Sequence, residues 1–139
     1  MNEADRWAEA RRWLTYAEED LAAARALSGG GAPRHVCWLA QQAAEKALKA
    51  VLVFLQIDFP FWHDLDALRN LIPDGWSVKE EYPDLAELTQ WAVESRYPGD
   101  WPEATEADAG AAIEQAGAVH RSVCDGFQRL GHALGDIET

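Results

Sequence analysis

The segment between residues 36 and 57 has apolar side chains around most of a helical circumference, and this feature constrains the fold more than any other. One stripe consists of Val36, Ala40, Ala43, Ala47, Ala50, Phe54 and Ile57. A second stripe consists of Cys37, Ala44, Leu48, Val51 and Leu55. Both follow the steps of three, four and seven residues that place side chains on one helix face. Because so wide an apolar surface has to be shielded from water, other elements must cover this helix on several sides.

The same segment also carries a narrow polar strip, formed by Gln42, Glu45, Lys46 and Lys49. Lysine is costly to bury without a partner, so the strip either meets solvent or lines a polar cleft. In the first case Glu45 and Lys49 form an i,i+4 ion pair in the favourable order, which stabilises an exposed helix by about 0.2–0.5 kcal/mol. In the second case the lysines would hold an anion. The sequence leaves both alternatives open.

The chain of 139 residues is long enough for one domain spanning residues 1–139, and its pattern predicts five helices and no strands. The predicted helices are residues 3–27, Pro33 to about Ile57, a short helix capped by Asp64 and ended by Pro73, a helix from Pro83 to before Pro98, and a last helix capped by Thr105. This order describes an all-α, antiparallel up-and-down bundle of four main helices plus one short helix. The surplus apolar surface of the second helix and the seven tryptophans suggest a homodimer.

Composition excludes several classes of protein. The formal net charge of −12 argues against a protein that coats DNA or RNA, because phosphate would be repelled over most of the surface. Nothing resembles a signal peptide or a membrane span, so we expect a cytoplasmic protein without membrane contact. Cys37 and Cys124 are expected to be buried thiols, and no Cys/His group has the spacing of a metal site. We predict no catalytic residue and no metal ligand.

Several short motifs together resemble the HEPN domain family (higher eukaryotes and prokaryotes nucleotide-binding), from about Ala17 to Val123. The motifs are Glu19-Asp20-Leu21, Gln41-Gln42-Ala43-Ala44-Glu45-Lys46-Ala47-Leu48-Lys49-Ala50, His63-Asp64-Leu65, Arg96-Tyr97-Pro98 and Ala112-Ile113 with Ala116. The resemblance implies a helical bundle that is usually dimeric. It also implies a frequent partnership with a small nucleotidyltransferase in toxin–antitoxin-like pairs.

Some members of this family bind nucleotides, and others are metal-independent ribonucleases with an Arg followed four to six residues later by a His. This chain departs from the ribonuclease pattern: Arg121 has no His at that distance, and Arg129 reaches His132 too soon. A ribonuclease that uses His63 or His120 with Arg96 or Arg121 is therefore disfavoured. Binding of RNA is disfavoured for the same reason. A nucleotide-binding role is the better implication of the resemblance.

The predicted nucleotide site combines the polar strip with His63, Arg96 and Tyr97. His63 precedes the expected N-cap of the third helix, where a phosphate could meet the imidazole and backbone N–H groups. Arg96 offers a guanidinium fork for phosphate and Tyr97 a ring for base stacking. The expected ligand is ATP or GTP, bound by Gln42, Glu45, Lys46, Lys49, His63, Arg96 and Tyr97. The alternative is a protein–protein interaction subunit without a ligand, whose partner surface is the acidic first helix and exposed tryptophans.

Overall fold

The computed structural model describes residues 1–60, 63–82, 84–92 and 103–132. These residues form six helices and no strand, so the predicted all-α fold is confirmed. The helices are α1 (Glu3–Leu27), α2 (Pro33–Phe54), α3 (Leu65–Leu71), α4 (Ser77–Glu81), α5 (Ala86–Thr89) and α6 (Glu106–Arg129). Three of them are long, and they form the body of the bundle.

Helices α1 and α2 are antiparallel because the turn between them is tight. Gly29 and Gly31 have φ angles of 78° and 88°, a region that glycine enters at little cost. The side chain of Glu106, the first residue of α6, accepts hydrogen bonds from the backbone N–H groups of both glycines, each at 3.3 Å. Pro33 then begins α2, where its missing N–H is no loss. The turn thus ties the start of α6 to the end of α1.

Helix α2 lies at the centre of the fold and packs against α1, α6, α3 and α5. Residues of both apolar stripes are buried, including Val36, Cys37, Ala43 and Leu48 at 0% exposure. The other helices of the same chain therefore provide the cover that the sequence requires. This arrangement removes one of the two reasons for expecting a homodimer.

The tryptophans supply the other reason, and the structure weakens it too. Of the five that lie within the described residues, none is exposed: Trp7, Trp13 and Trp38 are half-buried, and Trp76 and Trp91 are buried. The expectation of exposed tryptophans as a partner surface is therefore wrong for these five. The other two, Trp62 and Trp101, lie outside the described residues.

Helix α2 ends three residues earlier than predicted, at Phe54. Gln56 has a φ angle of 57°, Ile57 N–H donates to Leu52 O at 2.9 Å, and Gln56 N–H donates to Val53 O at 3.1 Å. These two bonds form a Schellman motif, which ends a helix in a left-handed residue. That residue is usually glycine, so a glutamine there gave no sequence signal.

The region between α3 and α6 differs most from the prediction. Helix α4, Ser77–Glu81, was not predicted because five residues are too short to show a helical period. The predicted fourth helix appears as the single turn α5, Ala86–Thr89, within the described residues. Pro83 and residues 93–98, where that prediction began and ended, lie outside them.

The last helix begins as predicted. Thr105 Oγ1 accepts a hydrogen bond from Asp108 N–H at 3.0 Å, and Asp108 Oδ2 accepts one from Thr105 N–H at 2.9 Å. These two bonds form a complete capping box. Within the part of the chain that the structure describes, no helix combines the length and hydropathy needed to cross a membrane. Cys37 and Cys124 are both buried thiols, as predicted.

Candidate functional site

Three polar side chains meet inside the bundle around the carboxylate of Glu45, and we call Gln41, Glu45, Lys49 and His63 the Glu45 cluster. Lys49 Nζ lies 2.9 Å from Glu45 Oε2. On the other carboxylate oxygen, His63 Nδ1 lies 2.8 Å from Glu45 Oε1, and Gln41 Nε2 donates to the same atom at 3.2 Å. The Glu45 carboxylate therefore contacts an ammonium, an imidazole and an amide group.

The sequence builds this cluster from one helix face and one loop. Gln41, Glu45 and Lys49 are spaced four residues apart on α2, so their side chains stack along one side of it. His63 comes from the connection between α2 and α3, and its backbone carbonyl accepts a hydrogen bond from Gln41 Nε2 at 3.0 Å. The cluster therefore also fixes the position of the chain that leads into α3.

The Glu45 cluster is buried at one end and opens to solvent at the other. The side chains of Lys49 and Glu45 are 7% and 5% exposed, whereas that of His63 is 23% exposed. Lys49 Nζ also lies 5.9 Å from the ring centre of Trp13 and 5.6 Å from that of Phe59. At these distances the ring faces attract the ammonium, which partly offsets its lost hydration. His63 is therefore the member through which an external group would approach.

The structure brings some of the predicted site residues together and separates others. Glu45, Lys49 and His63 share the cluster, and Gln42 contacts it through a hydrogen bond from its Nε2 to Gln41 Oε1 at 2.8 Å. Lys46 does not join them, because its Nζ forms an ion pair with Asp20 Oδ2 of α1 at 2.6 Å. The remaining two predicted residues, Arg96 and Tyr97, lie outside the described residues.

The start of α3 does not offer the backbone donors that the sequence suggested for a phosphate. Asp64 is the N-cap, as predicted, and its Oδ1 accepts hydrogen bonds from Asp66 N–H at 3.0 Å and Ala67 N–H at 3.2 Å. Leu65 N–H donates to Thr89 Oγ1 at 3.0 Å. Since these N–H groups already have acceptors, His63 would have to bind a ligand without help from the helix terminus.

Sequence reasoning missed three contributors to the cluster. Gln41 was read only as part of a family motif, although its position four residues before Glu45 is a signal for a side-chain hydrogen bond. Trp13 and Phe59 reach Lys49 from α1 and from the segment after α2. No local spacing predicts such long-range contacts.

His120 occupies a second polar position that the sequence interpreted differently. Its place between Val119 and Val123 in the sequence favours a solvated position on the last helix, where it could pair with Glu114 or Asp125. That expectation is wrong: His120 is buried, its Nε2 lies 3.4 Å from Glu18 Oε2 of α1, and Cys124 Sγ lies 3.7 Å from the same nitrogen. The contacts of His120 are with α1 and its own helix, whereas those of His63 are with α2.

Tyr82 is a titratable group whose environment is perturbed. Burial raises the pKa of its hydroxyl above the ordinary value, and the neighbouring Glu81 carboxylate raises it further, while the Arg121 cation opposes both. Glu81 in turn accepts a hydrogen bond from Ser122 Oγ at 2.8 Å. The C-terminal end of α4 is thereby attached to α6.

A groove of about 390 Å³ between α5 and α6 is a separate feature. Its lining includes Glu87, Asp108 and Glu114, and it includes no member of the Glu45 cluster. Three carboxylates would repel a phosphate-bearing ligand, so this groove is a poor candidate for the predicted nucleotide site. Among the residues that the structure describes, no group of three or more His, Cys, Asp or Glu side chains could hold a metal ion.

Comparison with known proteins establishes the family. The sequence model of the HEPN domain family matches residues 10–126, which is most of the chain, so this chain belongs to that family. The resemblance drawn from the motifs is confirmed. No curated protein shows significant similarity to it.

Two solved structures are similar to this fold. One is TT1696 from Thermus thermophilus, with 26% sequence identity and a TM-score of 0.70, covering 84% of this chain and 97% of that one. The other is ST0689, described as an archaeal HEPN homologue, with 29% identity and a TM-score of 0.65, covering 84% of this chain and 95% of that one. Both similarities extend over nearly the whole of the solved chain and over most of this one.

Proposed function

We propose that this HEPN protein is a nucleotide-binding helical module, and that the Glu45 cluster is the part of it that faces the phosphates. The observation that carries the proposal is the burial of Lys49 and Glu45 in a helix whose other buried residues are mostly alanine, leucine and valine. A buried ion pair adds little net stability compared with apolar side chains of the same volume. Such a pair beside a half-exposed histidine is typical of a functional site.

The charges of the cluster favour an anion when His63 is protonated. Lys49 and an imidazolium at His63 carry two positive charges against the single negative charge of Glu45. The excess positive charge lies at the solvent-facing end, in a chain whose net charge is −12. The half-buried rings of Trp13 and Phe59 add apolar surface for a base. ATP or GTP has this combination of phosphates and an aromatic base.

The other predicted residues enter the proposal on different grounds. Gln42 touches the cluster through Gln41, and Lys46 would reach a ligand only by leaving Asp20. Arg96 and Tyr97 enter on the sequence alone, as a guanidinium fork for phosphate and a ring for stacking.

Isothermal titration of the purified chain with ATP and with GTP tests this proposal. His63→Asn keeps a side-chain N–H near the position of Nδ1 but removes the rest of the imidazole, so we expect at least a tenfold loss of affinity. The matched control is His35→Asn, an exposed histidine near the start of α2, which should bind as the unchanged chain does. Absence of binding heat with both nucleotides, or equal losses in the two variants, would refute the proposal.

The second candidate function is that of an interaction subunit, one half of a toxin–antitoxin-like pair with a nucleotidyltransferase. It is favoured by the exposure of Tyr16 and Leu27, 51% and 43%, on α1. These residues are eleven positions apart, close to three full turns, so they lie on one face of the helix. The acidic residue Glu19 is also exposed on α1. Together they form a surface with apolar contacts and a charge for a basic partner.

Co-expression with a nucleotidyltransferase encoded next to this chain tests the second function. Tyr16→Asp should abolish co-purification, whereas Arg34→Asp, an exposed change near the start of α2, should not. Failure of the unchanged pair to co-purify would remove this function. A homodimer is proposed through the same α1 face, and light scattering of the two variants measures it directly.

A further inference from the structure

Two guanidinium groups from different helices converge over one glycine in the middle of α6. A Cβ atom placed on Gly117 would lie 3.4 Å from Arg25 Nη2 of α1 and 3.4 Å from Arg121 Nη1 of α6. Of the described residues, only these two side chains come within 4 Å of that point. The two guanidinium groups are therefore close enough for one small ion to contact both.

This arrangement is electrostatically unfavourable without a counterion. Arginine is always charged, so two guanidinium groups in this position repel each other. Within the described part of the chain, neither the Arg25 nor the Arg121 guanidinium group forms a hydrogen bond or an ion pair. Two carboxylates of α1 and α4 have other contacts: Glu18 lies beside His120, and Glu81 accepts from Ser122. A third, Glu114, lines the groove beside α5.

We propose that Arg25 and Arg121 form an oxyanion site over Gly117 that binds a single phosphate group, either free orthophosphate or a phosphomonoester. Guanidinium groups bind phosphate through paired N–H donors, and two of them match the charge of a phosphate dianion. Because Gly117 has no side chain, the anion can approach the surface of α6 closely. The net charge of −12 opposes a longer polyanion such as RNA.

The proposed site shares no residue with the Glu45 cluster, so it does not depend on the nucleotide proposal. His63→Asn should leave phosphate binding at Gly117 unchanged. Conversely, a failure of the arginine site would leave the titrations with ATP and GTP unaffected. The two proposals can therefore fail separately.

Nuclear magnetic resonance of the full chain, titrated with orthophosphate and separately with glycerol 3-phosphate, tests the site. We expect saturable shifts of the Nε–Hε signals of Arg25 and Arg121 with both probes. Arg25→Gln and Arg121→Gln should each weaken binding at least tenfold. Arg11→Gln, an exposed arginine of α1, is the matched control and should change nothing.

Gly117→Ala separates loss of binding from loss of folding. The added methyl group would stand in contact with both guanidinium groups, where the anion would approach α6, and should weaken phosphate binding several-fold. Alanine favours a helix, so the melting temperature should stay equal or rise. Equal, unsaturable shifts at Arg11, Arg25 and Arg121 would show ordinary ion screening and overturn the proposal. Tighter binding of single-stranded RNA than of either phosphate probe would also overturn it.

Discussion

Removal of the Glu45 carboxylate should be among the most damaging single changes in this chain. In Glu45→Ala the Lys49 ammonium, with its side chain 7% exposed, would lose the Glu45 carboxylate as a partner while remaining near the Trp13 and Phe59 rings. Breaking a buried ion pair in this way costs about 3–5 kcal/mol. The same change also deprives Gln41 and His63 of an acceptor, so we expect a loss in the upper part of that range.

A second ion pair of α2 provides the control for this prediction. Lys46 and Asp20 are 26% and 20% exposed, so solvent screens them more, and Asp20→Ala should cost at most about 1 kcal/mol. Urea unfolding followed by tryptophan fluorescence measures both losses, provided that the m value stays constant.

A double-mutant cycle isolates the pair itself. Lys49→Met keeps the length of the side chain and its contacts with the rings but removes the charge. Combined with Glu45→Ala, it should restore part of the lost stability, with a coupling energy above about 1 kcal/mol. The reasoning would be refuted if Glu45→Ala cost no more than Asp20→Ala, or if the two changes in the cycle were additive.

Three further predictions concern stability. Gly126→Ala should cost about 1–3 kcal/mol despite the better helix propensity of alanine, because the new Cβ would lie 2.5 Å from the Trp76 ring. Gly110→Ala has open space around its new Cβ and should stabilise the protein by up to about 1 kcal/mol. Urea unfolding of the two variants measures both changes. The raised pKa of Tyr82 means that the unfolded chain releases this proton first. The contribution of Tyr82 to stability is therefore constant below pH about 10 and is lost as the pH rises above it, and Tyr82→Phe should reduce that loss in a series of unfolding measurements. Thr105→Ala removes one half of the capping box and should cost about 1 kcal/mol by thermal unfolding, and an unchanged melting temperature would contradict this.

Local signals in the sequence were enough to predict the long helices. The capping box at Thr105 and the N-cap at Asp64 depend on residues two or three positions away, so their chemistry can be recognised from spacing. Helix α4 and the end of α2 were not predictable in this way. The first is too short for a period, and the second depends on a left-handed glutamine, which sequence preferences do not favour.

The candidate site was only partly predictable because its geometry depends on other elements. Lys46 and Lys49 looked equivalent in the sequence and are less than one helical turn apart, yet each pairs with a different carboxylate. Lys49 meets a carboxylate of its own helix, whereas Lys46 meets one from α1. His63 reaches Glu45 across eighteen residues, a contact that depends on how the chain returns to α2 after the helix ends.

Because other helices of the same chain cover α2, an oligomer would have to form through a different surface. The apolar surplus of this helix suggested a homodimer, yet α1, α6, α3 and α5 already cover it within one chain. Among the described residues, the large exposed apolar side chains on α1 are Tyr16 and Leu27. A homodimer and a complex with a nucleotidyltransferase would both use this face, so each should exclude the other. Adding the partner should therefore convert a homodimer into a heterodimer, and a larger assembly that contains two copies of this chain would contradict a shared face.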